Sequence, residues 1–432
     1  YRDRPLRARR VRFGCAESAF GPAKKCAVSW ITWRGGRLKL GKGHAYGCGL
    51  FDSRENQFSK NVKVRLRNRR AVQAEPDWVV GDNQPLNCGV NLKIAISGEI
   101  KMQTKKVVLL NRPVGALKET DLDVVDATLA PLEAGEVLLE VEHLSVDAFI
   151  RTTFDEGAFH GTAGLGQAVT ALGTARVVDS RFDGLNQGDA VFGPVGAQTH
   201  TKLPGAMLQK LDESELPARC SLGVLGLATG MTAYAGMAKV AQIQQGDTVV
   251  VSAAAGAVGS CACQVAKNLG ARVIGIAGGP AKVDYLLNEI GCDAAVDYKA
   301  DDLAGQLSAA APDGIDVFFD NVGGEILDVV LLQINERARV VICGAVSQYE
   351  RTGDVRGPSN YLKIPEKNAS MLGFTVMRFA EDYAEIQAAI TEWVLAGKLK
   401  LPEQVEEGIE QFPKALTMLF SGGHMGKLMV AP

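Results

Sequence analysis

The sequence predicts an α/β protein in which a doubly wound parallel sheet is inserted in a smaller, antiparallel, barrel-like domain. Three observations predict it. From Asp247 onward, short apolar runs alternate with helical stretches. Between Met102 and Leu225 the pattern is instead short strands separated by Gly-rich turns. The last apolar run, 426–430, follows the alternating region and can rejoin the first domain.

Residues 1–101 stand apart from both. They hold 21 Lys and Arg against 8 Asp and Glu, whereas residues 102–432 hold 26 against 41. Trp30, Trp33 and Trp78, three of the four Trp, also fall there. Arg-rich runs at 7–12 and 63–70 alternate with Gly-rich and polar pieces, and no helical or strand period is sustained. Such a segment is expected to be unstructured or non-native. No Met precedes Met102, and Gly98-Glu99-Ile100-Lys101 lies just before it. Codons for Gly-Glu can spell a purine-rich ribosome-binding sequence. The leading expectation is therefore translated upstream sequence joined by a start-site error. A natural disordered tail and a basic nucleic-acid-binding module are the alternatives.

The next stretch reads as strands at 105–110, 136–144, 173–179 and 189–193, with a bend over 145–152. The small-residue run 220–240 reads as helix. Strands are then expected at 248–253, 272–277, 294–297, 315–319, 338–343 and 370–376. Helices are expected at 258–269, 280–290, 301–311, 324–334 and 381–397. The tail reads as strand 403–409, helix 412–421 and strand 426–430. The domain plan is a basic extension 1–101, an antiparallel domain 102–225 with 398–432, and a parallel-sheet domain 226–397.

Composition narrows the class. The chain is 47% apolar and 22% charged, enough to bury a large core. No run of about 18 apolar residues indicates a membrane span, and no signal-peptide pattern opens the chain. Nine Cys form no CxxC pair, which suggests neither a disulfide framework nor a zinc site and fits a reducing cytoplasm. His143, His160, His200 and His424 have no partners at ligand spacing, so no metal is expected.

The chemistry concentrates at Asp247–Ser260, DTVVVSAAAGAVGS. Ala254, Gly256 and Gly259 stand in the spacing of a dinucleotide-binding turn between a strand and a helix. Small residues there let the backbone approach a pyrophosphate, and the helix N-terminus offers free N–H groups to the anion. The plainer reading is a tight turn. The second strand ends in Ala277-Gly278-Gly279-Pro280, without the carboxylate that holds a ribose 2′-OH, and Lys282 follows. A missing anion and a nearby cation suit the 2′-phosphate of NADP. Tyr298 can pack beside the same phosphate. The plainer readings are a solvated lysine and a surface aromatic. Asn321, in DNVGG, is placed to bond a ribose or nicotinamide, or simply to hold its turn.

Six motifs carry a family resemblance over residues 102–432: Leu144-Ser145-Val146-Asp147, AAAGAVGS at 253–260, DNVGG at 320–324, Cys343-Gly344-Ala345 with Tyr349, Gly373-Phe374, and Gly426-Lys427. The region resembles the zinc-independent medium-chain dehydrogenase/reductases, in the branch of the prostaglandin, curcumin and alkenal/one reductases. The resemblance implies a GroES-like domain, a Rossmann domain and a homodimer. It implies that Gly256, Ala257, Val258, Gly259 and Ser260 cradle the pyrophosphate of NADPH, with Lys282 and Tyr298 on the 2′-phosphate. Asn321, Cys343, Gly344, Ala345, Tyr349 and Phe374 then line the nicotinamide side. The position before Met425-Gly426-Lys427 is commonly Asn in this branch and is His424 here. The implied reaction is reduction of the C=C bond of an α,β-unsaturated ketone or aldehyde, with the enolate protonated by Tyr361 or water. A quinone reductase or a non-catalytic NADPH sensor is the alternative. Many members carry Pro-Tyr after the Ser-Val-Asp run, and this chain has Ala148-Phe149.

Overall fold

The structure is a computed structural model, and it describes residues 31–34, 37–40, 102–158, 160–351 and 354–432. The chain divides into two units, 1–100 and 101–432. In the first, β1 (Ile31–Arg34) pairs antiparallel with β2 (Arg37–Leu40), Ile31 opposite Leu40. The sequence between them is Gly35-Gly36, a pair that two-residue hairpins favour. Looking for sustained periods over 1–101 misses so short a signal. The expectations for the rest of 1–101 lie outside the described residues.

The second unit opens with β3 (Gln103–Leu109), antiparallel to β4 (Leu122–Thr128). Next come β5 (Glu136–Ser145), a single helical turn α1 (Phe149–Thr152) at the expected bend, β6 (Gly173–Ser180), β7 (Ala190–Gly193), β8 (His200–Pro204) and β9 (Gln209–Lys210). The expected helix over 220–240 is not continuous. Only α2 (Gly230–Tyr234) is α-helical, and it runs on as a π-helix over Ala235–Ala241. The glycines explain the break. A Cβ on Gly226 would lie 2.5 Å from Leu222 O, and one on Gly230 1.7 Å from Val224 O. The chain folds back on its own backbone there, and only glycine permits it.

Alternation then sets in: β10 (Thr248–Val251), α3 (Ala257–Asn268), β11 (Arg272–Ala277), α4 (Pro280–Tyr285), β12 (Ala294–Asp297), α5 (Leu303–Ala310), β13 (Ile315–Asp320), α6 (Gly324–Leu331), β14 (Ile334–Ile342), α7 (Lys363–Glu366), β15 (Ser370–Gly373) and α8 (Tyr383–Leu395). Three elements close the chain: β16 (Glu403–Glu407), α9 (Phe412–Ser421) and β17 (Lys427–Ala431).

The parallel sheet has the order β12-β11-β10-β13-β14-β15. Its central strands β10, β11 and β13 are buried on both faces, while the edge strand β15 is largely exposed. Along β13, Val317 and Phe319 join one apolar cluster with α2, α3 and α8, while Phe318 joins the other with α5 and α6. Strand order reverses between β10 and β13, which is where such sheets open a ligand crevice at their carboxyl ends. The second, mostly antiparallel sheet has the order β16-β17-β5-β6-β7-β9, with β8 also on β5 and β16 parallel to β17. Val430 of β17 lies opposite Leu144 of β5, so the last strand returns to the first sheet, as the sequence pattern anticipates. Its core joins Val137, Leu139 and Val141 to Phe412 and Leu416 of α9.

Candidate functional site

Four pieces of chain meet at or beside the carboxyl edge of the parallel sheet. The first is the turn after β10. Ala253 there adopts φ +47°, a left-handed conformation that costs a non-glycine residue about 1 kcal/mol. Gly256 caps α3 in an extended conformation, and no side chain bonds the helix N-terminus. A Cβ on Gly259 would lie 2.2 Å from Ala253 O and 2.7 Å from Ala254 Cα, so glycine is required. The first-turn N–H groups at Ala257 and Val258 are thus presented by backbone alone, a cradle suited to an anion. Ser260 departs from the expected cradle. It is fully buried, its Oγ donates to Ala254 O at 3.1 Å and lies 3.1 Å from Tyr285 Oη, and its N–H bonds Gly256 O. Its polar groups therefore knit the strand to the helix and do not face the cradle.

The second piece is the loop after β13. Ser252 Oγ donates to Asp320 Oδ1 at 2.8 Å and accepts from the Asn321 N–H at 2.8 Å. Asn321 Nδ2 donates to Ser252 O at 2.8 Å, so one amide proton holds the turn. Asp320 also accepts from the N–H groups of Val322 and Gly323. Burial pushes its carboxyl up, against those bonds. The loop after β14 is tied to the same aspartate: Cys343 and Gly344 donate to Asp320 O at 2.9 and 3.1 Å. Ala345 N–H donates to Tyr349 Oη at 3.3 Å. Burial and then Asp320 push the Cys343 thiol up to about 12, so it remains a thiol at neutral pH. Phe374 turns inward instead, its ring against Phe379 and close to where a Cβ on Gly236 would stand.

The third piece lies beyond β11. Lys282 Nζ donates to Gly422 O at 2.9 Å, and its pKa is lowered by burial and then by Lys299. A Cβ on Gly278 would lie 2.8 Å from the Tyr298 ring and 2.9 Å from Lys299 Cε, so glycine brings both side chains over the strand end. Tyr298 is 43% exposed. Among the described residues neither lysine forms an ion pair with a carboxylate. Asp297, the acid at the end of β12, is bonded to the N–H groups of Gly279 and Lys299. Two cations beside each other, with only the Asp297 carboxylate close to Lys299, suit an anionic ligand group. Lys299 was not among the residues expected from sequence, though the charge argument that selects Lys282 applies equally to it.

The fourth piece is the strap 422–427. Gly426 N–H donates to Ala255 O at 2.9 Å, pinning the strap to the first turn. Lys427 is 1% exposed, and its Nζ bonds Asp147 Oδ1 at 2.7 Å and Val146 O at 3.3 Å. The Ser145 hydroxyl donates to the other Asp147 oxygen. Two short motifs separated by most of the chain are therefore one buried ion pair, which sequence spacing cannot reveal. His424 is pushed down to about 4 by burial, then by Lys282 and Lys427, and its Nδ1 is buried without a partner. Tyr361 stands elsewhere. It is 58% exposed, on a loop whose Asn360 bonds Asp328 of α6, and no hydrogen bond joins its phenol to this cluster. Among the described residues no group of three or more His, Cys, Asp or Glu is placed to hold a metal, and no helix is long and apolar enough to cross a membrane.

Residues 105–211 match the family described as the N-terminal domain of oxidoreductase, and 257–392 match the zinc-binding dehydrogenase family. The NADP(+)-dependent 2-alkenal reductase of Nicotiana tabacum is 36% identical over 337 residues, covering 76% of this chain and 98% of the relative. Prostaglandin reductase 1 of Mus musculus is 38% identical over 337 residues, covering 76% and 99%. The crystal structure of CurA from Vibrio vulnificus in complex with NADPH superposes with a TM-score of 0.72 at 33% identity, covering 76% of this chain and 98% of that one. Both sequence relatives are matched along nearly their whole length, and the chain accordingly belongs to the zinc-binding dehydrogenase family, in its NADP-dependent branch with the alkenal, curcumin and prostaglandin reductases.

Proposed function

We propose that the protein is an NADPH-dependent reductase of activated C=C bonds, acting on α,β-unsaturated ketones and aldehydes without a metal. One observation carries the cofactor choice: Lys282 and Lys299 stand beside the end of β11, which carries no carboxylate of its own, while the nearby Asp297 is turned to the N–H groups of Gly279 and Lys299. The likeness to the alkenal and prostaglandin reductases supports the reaction class. When bound, NADPH supplies the hydride for the β-carbon of the acceptor. Ala257 and Val258 bind the pyrophosphate through backbone N–H groups, with Gly256 and Gly259 permitting the approach. Lys282, Lys299 and Tyr298 hold the 2′-phosphate, and His424 adjoins them. Asn321, Cys343, Gly344, Ala345 and Tyr349 shape the nicotinamide side. Tyr361 or water delivers the proton to the enolate.

The same reading places the substrate domain at 102–225 with 398–432 and the cofactor domain at 226–397, supported by the return of β17 to β5. It includes a homodimer joined at the edge strand β15, where Met371 is exposed. It also includes a cytoplasmic setting, in keeping with five free thiols among the described residues.

The test is consumption of NADPH and NADH by the full chain with an enone, an enal and a quinone, in chelator. Fast, NADPH-selective turnover of the enone or enal supports the reading; turnover of the quinone alone replaces it with a quinone reductase. A loss of about a hundredfold in kcat for Tyr361→Phe assigns the proton to the phenol, and an unchanged kcat assigns it to water.

A further inference from the structure

His424 carries a buried polar atom that the fold leaves unanswered. Its Nδ1 is enclosed and has no hydrogen-bond partner, which is unfavourable unless a group from outside the chain supplies one. The residue lies midway along the strap 422–427, between two fixed points. Gly422 O accepts from Lys282 Nζ at 2.9 Å, and Gly426 N–H donates to Ala255 O at 2.9 Å. The strap therefore carries the imidazole between the lysine assigned to the 2′-phosphate and the turn assigned to the pyrophosphate. Burial holds the proton off the ring, and so do Lys282 from α4 and Lys427 from β17, while backbone bonding to Met418 of α9 acts the other way. Lys299 stands beside Lys282, and Asp147 is already engaged by Lys427. The surroundings of the ring are cationic, and it is neutral at pH 7. A 2′-phosphate carries a charge of about −2. Held by Lys282, it reverses the sign of the field at the ring.

We propose that His424 takes up a proton from solvent as the 2′-phosphate of NADP binds, and donates it from Nδ1 to a phosphate oxygen. The proposal rests on the reductase reading above. The imidazole then joins the two lysines as a third, pH-dependent cation, and it adds to the preference for NADP over NAD as pH falls. An Asn at this position carries no charge and gives no such dependence.

The experiment is titration calorimetry of NADP+ and NAD+ against the full chain and its His424→Asn variant, at about pH 6 and about pH 7.5. Each titration is run in two phosphate-free buffers of different ionisation enthalpy, and the dependence of the heat on the buffer counts the protons taken up. The 2′-phosphate releases protons of its own when it meets the lysines, and the variant measures that share. The expected result near pH 6 is uptake by the parent of about one proton more than the variant with NADP+, and no difference between them with NAD+. Relative to the variant, the parent's affinity for NADP+ should rise about tenfold from the higher pH to the lower. Equal proton counts for parent and variant overturn the proposal, and so does the same excess with NAD+. If the variant does not fold, ring-nitrogen NMR of the histidine-labelled parent decides. One imidazole protonated in the presence of NADP+ and not of NAD+ upholds the proposal; none overturns it. If the folded parent binds neither nucleotide, the reductase reading has failed and the proposal falls with it.

Discussion

The turn after β10 and the strap 422–427 touch each other, yet they are built in opposite ways. The turn is local: fewer than ten consecutive residues set its geometry, and its working groups are backbone N–H. The strap is assembled at long range. Lys427 depends on Asp147, and Gly422 on Lys282. Under the proposed reading, the turn would offer any pyrophosphate the same cradle, whereas Lys282 and Lys299 would distinguish one nucleotide from another by charge. Affinity common to both nicotinamide cofactors should therefore reside in backbone shape, and discrimination in side chains brought from separate segments.

The comparison breaks most severely at the strap's anchor. Asp147→Ala leaves Lys427 buried and unpaired, and should cost about 4 kcal/mol in denaturant unfolding. The double change Asp147→Ala with Lys427→Met should recover much of that, because the uncompensated charge is gone. Next in size is the turn. Gly259→Ala places a methyl group against fixed backbone at 2.2 Å and should cost about 3 kcal/mol. Binding of NADPH and NADH should weaken together in this variant; a loss confined to NADPH would contradict the division between shape and charge.

The lysines sharpen the division from the other side. Lys282→Ala or Lys299→Ala should leave the melting temperature nearly unchanged and weaken NADPH binding about tenfold to a hundredfold, with little effect on NADH. Titration calorimetry with both cofactors measures it. The smallest effect is in pH. The His424 imidazole is held near 4 in the folded chain against an ordinary 6.5, so the unfolded state takes up the proton first as pH falls. Stability from this group is fully present above pH 6.5 and is lost progressively toward pH 4. Between pH 7 and pH 5.5 the loss should be about 1 kcal/mol. His424→Asn should flatten that part of the stability profile, and an unaltered profile would show that the ring is not buried as described.

Much of the parallel sheet was legible because its signals are short-range. β11, β12 and α9 fall where the apolar runs place them, to the residue. Strand β4 was not legible: Asp123 and Asp126 interrupt its apolar run, and pairing with β3 makes it a strand. The helix expected over 220–240 failed because two glycines, Gly226 and Gly230, allow a backbone reversal that composition does not announce. At the site, the turn glycines and Lys282 were visible from residue type and spacing. Lys299 was open to the same charge argument; Ser252 and the Asp147–Lys427 pair were not visible, since each acquires its role from a partner on another element.

By itself the sequence determined the alternation of strands and helices from β10 to β14, the glycine turn that presents helix N–H groups, and the missing carboxylate at the end of β11. Those features depend on residues within one or two turns of each other, where chain geometry leaves few alternatives. Only the tertiary structure decided that Ser260 faces the core, that Phe374 packs inward, that Lys427 is neutralised by Asp147, and that a cavity opens between β7 and α8. Such facts depend on which distant surfaces come together, and the burial that selects them is a property of the packed whole.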